Sequence, residues 1–387
     1  MRMDIDIKQI DEMEPDIPCY CFQVEAFYQN IERFRTFLAP GIKVMFSAKA
    51  NPFLIGAALN KFNGIEICSV GELRRAIKYK ADPEKIVYGG ICKEMDDLDE
   101  MVKYGLRRFS VESLQQLEML EETASRHRAR VNALLRLSSG NQFGMSVPEY
   151  NRCIAGQDRK YTVISGIHFY PGTMRKAAND IIHDYDKFEE IVRMLDMSAV
   201  QEIFYGAGIA FDYYNRSHDR WVSAKEVADR LNPLSRRYEV TYEAGRLFAA
   251  DAGAYITRVV ELRKNGGKMY IVINGGRHQF TYHGGVFTLG MRVPEISVVR
   301  KNQTERKIKA DIVGALCTEG DILAKGIELP EVGVGDYIVF HNAGAYCMTE
   351  GMALFLSRDI PAIFLSDGKI FRVRKRKNIM ECNMEET

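Results

Sequence analysis

Over the first 245 residues short β-branched or apolar runs alternate with longer stretches of helical spacing. The runs are KVMFSA (43–48), GIEIC (64–68), KIVYG (85–89), RRFSV (107–111), VNALLRL (131–137), YTVISGI (161–167), EIFYG (202–206) and EVTYE (239–243). Between them lie stretches such as 70–77 and 181–195. In the second, Ile181, Tyr185, Phe188, Ile191, Val192 and Leu195 recur at helical spacing, with Asp184, Lys187, Glu189 and Glu190 between them. Eight strands alternating with helices predict parallel βα units and an α/β fold. An eight-stranded closed barrel leaves no edge strand; an open doubly wound sheet is the alternative.

After about residue 247 the pattern changes. Residues 254–262, 269–273, 295–300, 307–313 and 336–340 read as strands. Turn signals separate them at 265–267, 274–276 and 333–336, and little helical spacing intervenes. A second, all-β domain is expected, an antiparallel barrel or sandwich. No repeat of fixed period is visible.

Composition adds bounds. A chain of 387 residues accommodates two or three domains, or one barrel plus a smaller unit. Lys plus Arg is 53 against 52 for Asp plus Glu, so binding of nucleic acid through bulk positive charge is ruled out. Eight cysteines are too few for a disulfide scaffold, and neither CxxC nor HExxH occurs, so no metal is expected. The acidic N-terminus MRMDIDIKQIDEMEPD has no apolar signal region, and no apolar run is long enough to span a bilayer. The expectation is a cytoplasmic, reduced enzyme without a membrane partner.

In a parallel barrel the catalytic groups stand where strands end. The strand ends here carry Lys49, Cys68-Ser69, Arg136, His168-Phe-Tyr170-Pro-Gly172-Thr173, Gly206-Ala207-Gly208 and Glu243-Ala-Gly245-Arg246. Singly each has an ordinary reading: a surface lysine, a tight turn, a strand-end salt bridge. Together they offer a lysine for a Schiff base, backbone N–H groups and an arginine for a phosphate, and a carboxylate for a ring nitrogen. Those are the three grips that pyridoxal 5'-phosphate needs.

The ordered motifs SAKAN (47–51), EICSVGEL (66–73), FSVES (109–113), LLRL (134–137), QFG (142–144), HFYPGT (168–173), GAGI (206–209), EAGR (243–246), CTEGD (317–321) and AGAY (343–346) resemble the fold-type III pyridoxal-phosphate decarboxylases, which act on diaminopimelate, ornithine, lysine or arginine. The resemblance runs from IPCYCFQVEAF (17–27) nearly to the end of the chain. It implies an alanine-racemase-like (β/α)8 barrel over 25–246 and a β domain formed by 1–24 and 247–387. It implies that Lys49 bonds the cofactor, Glu243 faces its ring nitrogen, and Thr173, Gly206, Ala207, Gly208, Gly245 and Arg246 hold its phosphate. Tyr346 would close over that phosphate, and His168 matches a histidine of the diaminopimelate enzymes. Cys317 would reach the partner's site, since family members are commonly homodimers with shared sites. The implied activity is loss of the α-carboxylate of an L-amino acid as CO2, with Lys49 or Cys317 returning a proton to Cα. The lesser readings are an amino-acid racemase and a regulator that has lost the chemistry. The first lacks support because Glu243 and Cys317 follow the decarboxylase pattern, and the second because Lys49 is present.

Several positions depart from that pattern. Tyr170 stands where the family usually has a ring-stacking histidine. EAGR replaces EPGR, and the lysine of the family's SKFG is lost in the Asn-Gln142-Phe-Gly segment. After the cysteine the family carries an acid for a distal ammonium; this chain has Thr318, with Glu319 one step later. Around residue 282 the diaminopimelate enzymes supply an arginine for a distal carboxylate; this chain reads HisGlnPheThrTyrHis (278–283), which includes Tyr282. An unpartnered buried charge is costly, so a free diamino acid is disfavoured. Arg136, Tyr282, Thr318 and Glu319 are the candidate substrate contacts. The pattern also resembles the carrier-protein-linked decarboxylase of the butirosin pathway, whose substrate is a tethered aminoacyl group. The basic run 369–377 would suit an acidic carrier protein, and is otherwise a solvated edge strand and tail. His278, His283, His341 and Cys347 read as structural. Trp221, in the 211–225 insertion with Tyr213 and Tyr214, is read either as a cover for the site or as an anchor.

Overall fold

A computed structural model describes residues 5–156, 159–214, 219–282, 294–300 and 306–384. The chain divides into two compact units. One gathers described residues of 30–211 and 218–247; the other gathers those of 1–29, 212–217 and 248–387. His283 lies outside the described residues.

Strand β1, Cys19–Gln23, belongs to the second unit. The next eight strands form the first. They are β2 (Lys43–Ser47), β3 (Gly64–Ile67), β4 (Ile86–Tyr88), β5 (Arg108–Val111), β6 (Val131–Leu137), β7 (Thr162–Phe169), β8 (Glu202–Tyr205) and β9 (Glu239–Ala244). Each pairs in parallel with the next, and β9 pairs back to β2, closing the barrel. The closed barrel, not the open sheet, is therefore the solution, and its strands coincide with the eight apolar runs.

Two βα junctions show how the sequence turns a strand into a helix. Ser69 caps the helix Val70–Lys78 by accepting the Glu72 N–H, and Glu72 reaches back to accept the Cys68 N–H at 2.7 Å. Ser113 caps Leu114–Arg126 through the Gln116 N–H, and Gln116 accepts the Glu112 N–H at 3.0 Å. Both are Ser-x-x-Glu/Gln boxes that satisfy otherwise orphaned N–H groups, with the cap itself contributing about 1 kcal/mol. They also fix the directions of Cys68 and Glu112 at the strand ends.

The helix over 181–195 spans Ala178–Val192. Its spacing holds with one exception: Asp184, expected on the polar face, is buried and bonds Arg175 Nε at 2.6 Å. Trp221 anchors the first turn of the helix Arg220–Leu231, with the Arg33 and Arg220 guanidinium carbons 4.5 and 4.8 Å from its ring centroid. It is a packed residue of the barrel's shell rather than a cover.

The second unit is built on β1 and β10 (Gly253–Asn265), β11 (Lys268–Ile273), β12 (Ile296–Val299), β13 (Lys307–Val313), β14 (Ile322–Pro330), β15 (Tyr337–Phe340), β16 (Ala362–Ser366) and β17 (Ile370–Arg374). They form one nine-stranded sheet in the order β14-β13-β11-β10-β1-β16-β17, with β15 joining β10 to β12. The sheet is mixed rather than antiparallel, because β1–β16 and β11–β13 pair in parallel. Strand β10 serves both halves. It pairs with β1 and β15 up to Arg258, then with β11 from Val259, across a bulge between Val259 and Glu261. Alternation along β1 sends Cys19 and Cys21 to a core with Ile10, Met13 and Ile256. Tyr20 goes to the other face, its ring tilted against Tyr255 with the centroids 4.9 Å apart.

The basic run is partly absorbed by this unit. Arg372 pairs with Asp16, Arg374 donates to the Pro361 carbonyl and Arg376 to the Ile17 carbonyl. No disulfide joins any of the eight cysteines. No helix among the described residues is long and apolar enough to cross a membrane.

Candidate active site

The barrel interior is layered, and the layering builds the site. Met45, Val87, Leu134 and Phe204, from the alternate strands β2, β4, β6 and β8, pack as one apolar layer. On the intervening strands the inward positions toward the C-terminal face are Glu66, Ser110, His168 and Glu243, each 3% exposed or less. A barrel layer made wholly of polar groups is costly unless the groups satisfy one another or a ligand.

They satisfy one another in part. Ser110 Oγ lies 2.7 Å from His168 Nδ1. His168 Nε2 stands 3.7 Å from Glu243 Oε1, close but too long for a hydrogen bond. His168 Nε2 and Glu243 Oε2 are buried without a hydrogen-bond partner among the described residues. Burial pushes the Glu243 carboxyl up, but His168, the Lys49 ammonium and Arg136 together hold it well below the usual carboxylate range. Glu243 is thus an ionised carboxylate with one oxygen left for a ligand.

Lys49 sits in the single 3-10 turn Ala48–Ala50 that follows β2. Its Nζ lies 3.2 and 3.4 Å from the two oxygens of Glu66 and 3.6 Å from Cys68 Sγ. The Cys68 thiol donates to Glu66 Oε1 at 3.0 Å. Burial and the neighbouring Glu66 carboxylate push the thiol far up, so it stays protonated. Gly245 explains how this turn fits: a Cβ there would stand 2.4 Å from Ala50 Cβ and 3.1 Å from the Ser47 carbonyl oxygen. Arg246 opens the short helix that follows Gly245.

The glycine turn after β8 meets the turn after β7 backbone to backbone. A Cβ on Gly208, whose φ is +60°, would lie 1.8 Å from the Gly172 carbonyl oxygen. A Cβ on Gly206 would lie 2.7 Å from the Tyr170 ring and 2.8 Å from Glu243 Oε1. Tyr170 is therefore laid against Gly206 at the lumen, and burial raises its phenol. Ala207 is buried, and Thr173, beside Gly172, is exposed.

Arg136 is buried and bonds Glu112 Oε1 at 2.6 Å; Glu112 Oε2 accepts the Gly144 N–H at 3.1 Å. The Arg136 guanidinium lies 5.0 Å from the Phe143 ring centroid, so QFG is pinned by this ion pair. These contacts tie the segment after β6 to the end of β5.

The remaining expected residues lie in the β unit and are described there. Cys317, Thr318 and Glu319 are exposed and line a cavity of about 790 Å³ with Val272, Leu316 and Arg358. Their turn is braced by buried Asp321, which accepts the Arg277 and Leu316 N–H groups, each at 2.8 Å. Tyr346 has a φ of +66° and is half-buried. The preceding Gly344 presses on the Ala249 carbonyl, where a Cβ would stand 1.9 Å away. Tyr282 is fully buried and its hydroxyl donates to the His341 carbonyl, which commits that hydroxyl to the fold. His278 is buried and held neutral, its ring pushed down to about 4 by burial and Arg358. His341 bonds Ser297, and Cys347 is buried.

Sequence reasoning named Cys68 among the strand-end groups without giving it a role, and it missed Glu66 and Glu112 as site residues. The signal was present: each is a polar or charged residue at or beside an inward position of an apolar strand, as in Gly-Ile-Glu-Ile.

The residues present fit pyridoxal phosphate. An unpaired, ionised Glu243 oxygen suits a protonated ring nitrogen, and Lys49 offers an amine beside it. The close approach at Gly206 and Gly208 leaves a side-chain-free wall.

Comparison with known proteins agrees. The family model described as "Pyridoxal-dependent decarboxylase, C-terminal sheet domain" matches residues 67–344. Diaminopimelate decarboxylase of Aquifex aeolicus is 26% identical over 391 residues, covering 93% of this chain and 89% of that protein. The L-glutamyl-[BtrI acyl-carrier protein] decarboxylase of Niallia circulans is 24% identical, covering 94% and 91%. The butirosin-type enzyme is thus one of several distant relatives rather than a singled-out match. The crystal structure of Helicobacter pylori diaminopimelate decarboxylase complexed with L-lysine superposes with a TM-score of 0.82 at 22% identity, covering 96% of this chain and 97% of that one. The match to the family model, over most of the chain and including Ser110, His168 and Glu243 of the polar layer, shows that this protein belongs to the pyridoxal-dependent decarboxylases, enzymes that use pyridoxal phosphate to remove the carboxylate of an amino acid.

Proposed function

We propose that this decarboxylase acts on an aminoacyl group tethered to a carrier protein. The observation that carries this reading is Thr318, a neutral side chain in the position directly after Cys317, which lines a cavity of about 790 Å³ together with Glu319 and Arg358. A distal charge on the substrate would need an opposite charge there. A thioester arm needs room and no charge. The Niallia relative, named for a carrier-linked glutamyl group, supports the reading.

Lys49, Glu243, the Gly206–Gly208 turn, Thr173 and Arg246 would hold the cofactor through its aldehyde carbon, ring nitrogen and phosphate, with Tyr170 and His168 at its ring. Bound there, pyridoxal phosphate supplies the electron sink for the bond between Cα and the carboxylate. Glu243 keeps negative charge at the ring nitrogen, His168 orients Glu243, and Ser110 orients His168. Lys49 holds the proton that Cα needs once CO2 has left. Cys317, Thr318 and Glu319 of one protomer would complete the site of a second, making the homodimer the working unit, with Tyr346 closing over the phosphate.

A free diamino acid is the second reading. It is favoured by Glu319, an exposed carboxylate in the same turn that could meet a distal ammonium, and by the diaminopimelate decarboxylases among the relatives. The test offers the loaded enzyme free diaminopimelate, lysine, ornithine and glutamate, and aminoacyl carrier-protein thioesters, and measures CO2. Release from thioesters alone supports the tethered reading. Comparable release from a free basic amino acid overturns it in favour of the second.

A further inference from the structure

The reaction as read above needs Lys49 to carry a proton, and the barrel holds a second carboxylate that the cofactor does not use. We infer that Glu66 is a positioning residue whose carboxylate keeps the Lys49 amine protonated, charging it as the proton donor to Cα. The inference rests on the proposed decarboxylation. Its observation is independent: a carboxylate 2% exposed, at the centre of the polar layer, with its oxygens 3.2 and 3.4 Å from Lys49 Nζ.

The surroundings are built for that carboxylate. Gly89, just past the neighbouring strand β4, leaves the room it occupies, since a Cβ there would stand 2.3 Å from Glu66 Oε1. The Cys68 thiol donates to the same oxygen at 3.0 Å. The thiol is a neutral donor, so it steadies the Glu66 side chain without bringing a second cation to compete with Lys49. The other groups that bear on Lys49 are Glu243 from β9, Tyr170 from the end of β7, Cys68, and Glu72 from the helix after β3. Glu66 presents both its oxygens to Nζ at hydrogen-bonding distance, with Cys68 Sγ at 3.6 Å beside them.

The chemistry balances. Departure of CO2 leaves the bonding electron pair at Cα. One proton passes from Nζ to Cα, and Nζ, now a neutral amine beside Glu66, takes one proton back from solvent. A decarboxylation consumes one proton in all, and Glu66 is what makes Nζ its carrier.

The test uses the full chain prepared without pyridoxal phosphate, so it reads Lys49 directly. Trace labelling with acetic anhydride, followed by mass spectrometry of the Lys49 peptide, gives the amine's reactivity from about pH 6 to about pH 10, with exposed Lys78 as the internal control. In Glu66→Gln the labelling of Lys49 near neutral pH rises about tenfold, because an opposite charge at this distance shifts the protonation balance by about one pH unit. Glu66→Asp falls between. Gly89→Ala, which displaces Glu66 without removing any charge, moves the profile in the same direction and stands in if Glu66→Gln folds poorly. In the loaded enzyme Glu66→Gln lowers kcat about tenfold with KM held within about twofold, as expected when proton supply is removed and substrate binding is not. A Lys49 profile unchanged in both Glu66→Gln and Gly89→Ala overturns the inference. A profile that moves in a protein releasing CO2 from no substrate leaves Glu66's hold on Lys49 standing and defeats the decarboxylation reading instead.

Discussion

Substituting Gly245 by alanine tests how tightly the lysine turn is seated. A Cβ at this position would lie 2.4 Å from Ala50 Cβ and 3.1 Å from the Ser47 carbonyl oxygen. Carbon atoms in contact rest about 3.5–4.0 Å apart, so the Ala48–Ala50 turn must retreat by at least about 1 Å. The neighbour is backbone-tethered, not the tip of a flexible side chain, and the retreat carries Lys49 with it. Overpacking of this kind costs about 1–3 kcal/mol of stability, which urea unfolding resolves. A misplacement of about 1 Å at a reacting group costs about a hundredfold in rate, which CO2 release resolves. Gly245→Ala is therefore expected to fold, to lose modest stability and to lose about two orders of magnitude in kcat. Gly71→Ala, whose Cβ would meet only Ser69 Oγ at 3.6 Å, is the control and should be harmless. Wild-type activity in Gly245→Ala, with a retained melting temperature, would refute the argument that this glycine seats Lys49.

Glu112→Gln leaves Arg136 buried beside an uncharged partner and should cost about 3–5 kcal/mol, measured by urea unfolding; a loss below about 1 kcal/mol would show that the pair does not brace the QFG segment. Burial pushes the Glu72 carboxyl from 4.5 to about 7, partly offset by the Cys68 N–H and raised further by Glu66. A carboxyl raised on folding binds its proton in the folded state while the unfolded chain has lost it, so stability falls as pH rises from about 4.5 to about 7. Glu72→Gln, which keeps an acceptor for the Cys68 N–H, should remove that slope and be roughly 1–2 kcal/mol more stable than wild type near pH 8, after allowance for its partial exposure; equal stability at both ends of the range would contradict it. Glu243 has the opposite sign: its carboxyl is lowered on folding, so its contribution is present above about pH 4.5 and is lost as pH falls below that. Accordingly Glu243→Gln should flatten acid unfolding in that window and cut decarboxylation by at least about a hundredfold. Mixed solutions of inactive Lys49→Ala and Cys317→Ala proteins should regain up to about a quarter of wild-type activity if sites are shared between protomers, a result of random pairing that two self-contained sites would not give.

The barrel was legible because buried parallel strands read as near-continuous apolar runs, and eight such runs are joined by helical spacing. The Ser-x-x-Glu/Gln boxes at 69–72 and 113–116 are equally local, but the reading of apolar runs did not pick them out. What local pattern does not carry is register across strands. Glu66 and Glu243 become members of one layer only when eight strands close, and nothing near either residue announces the other. The ion pair Arg136–Glu112 and the burial of Asp184 on Arg175 are likewise tertiary, and a charged residue between polar neighbours reads as solvated until its partner arrives. The β unit was harder. Its parallel pairings join β1 to β16 across most of the chain, and strand alternation specifies neither partner nor direction. Strands β14 and β16 escaped the run-by-run reading, and β14 carries Lys325, Gly326 and Glu328 among its apolar positions; β17 was anticipated only as the edge-strand alternative for the basic run, whose arginines turn out to serve the unit's own carbonyls and Asp16.

The central claim is that Lys49, above a polar barrel layer with Glu243 ionised within it, is where pyridoxal phosphate is held. The purified protein should be incubated with pyridoxal phosphate, its visible spectrum recorded, and the complex reduced with borohydride and mapped by peptide mass. The account predicts a yellow protein that bleaches on reduction, with the phosphopyridoxyl mass on the Lys49 peptide and none in Lys49→Ala. A protein that takes up no cofactor, or one labelled at another lysine with Lys49 unmodified, would contradict it.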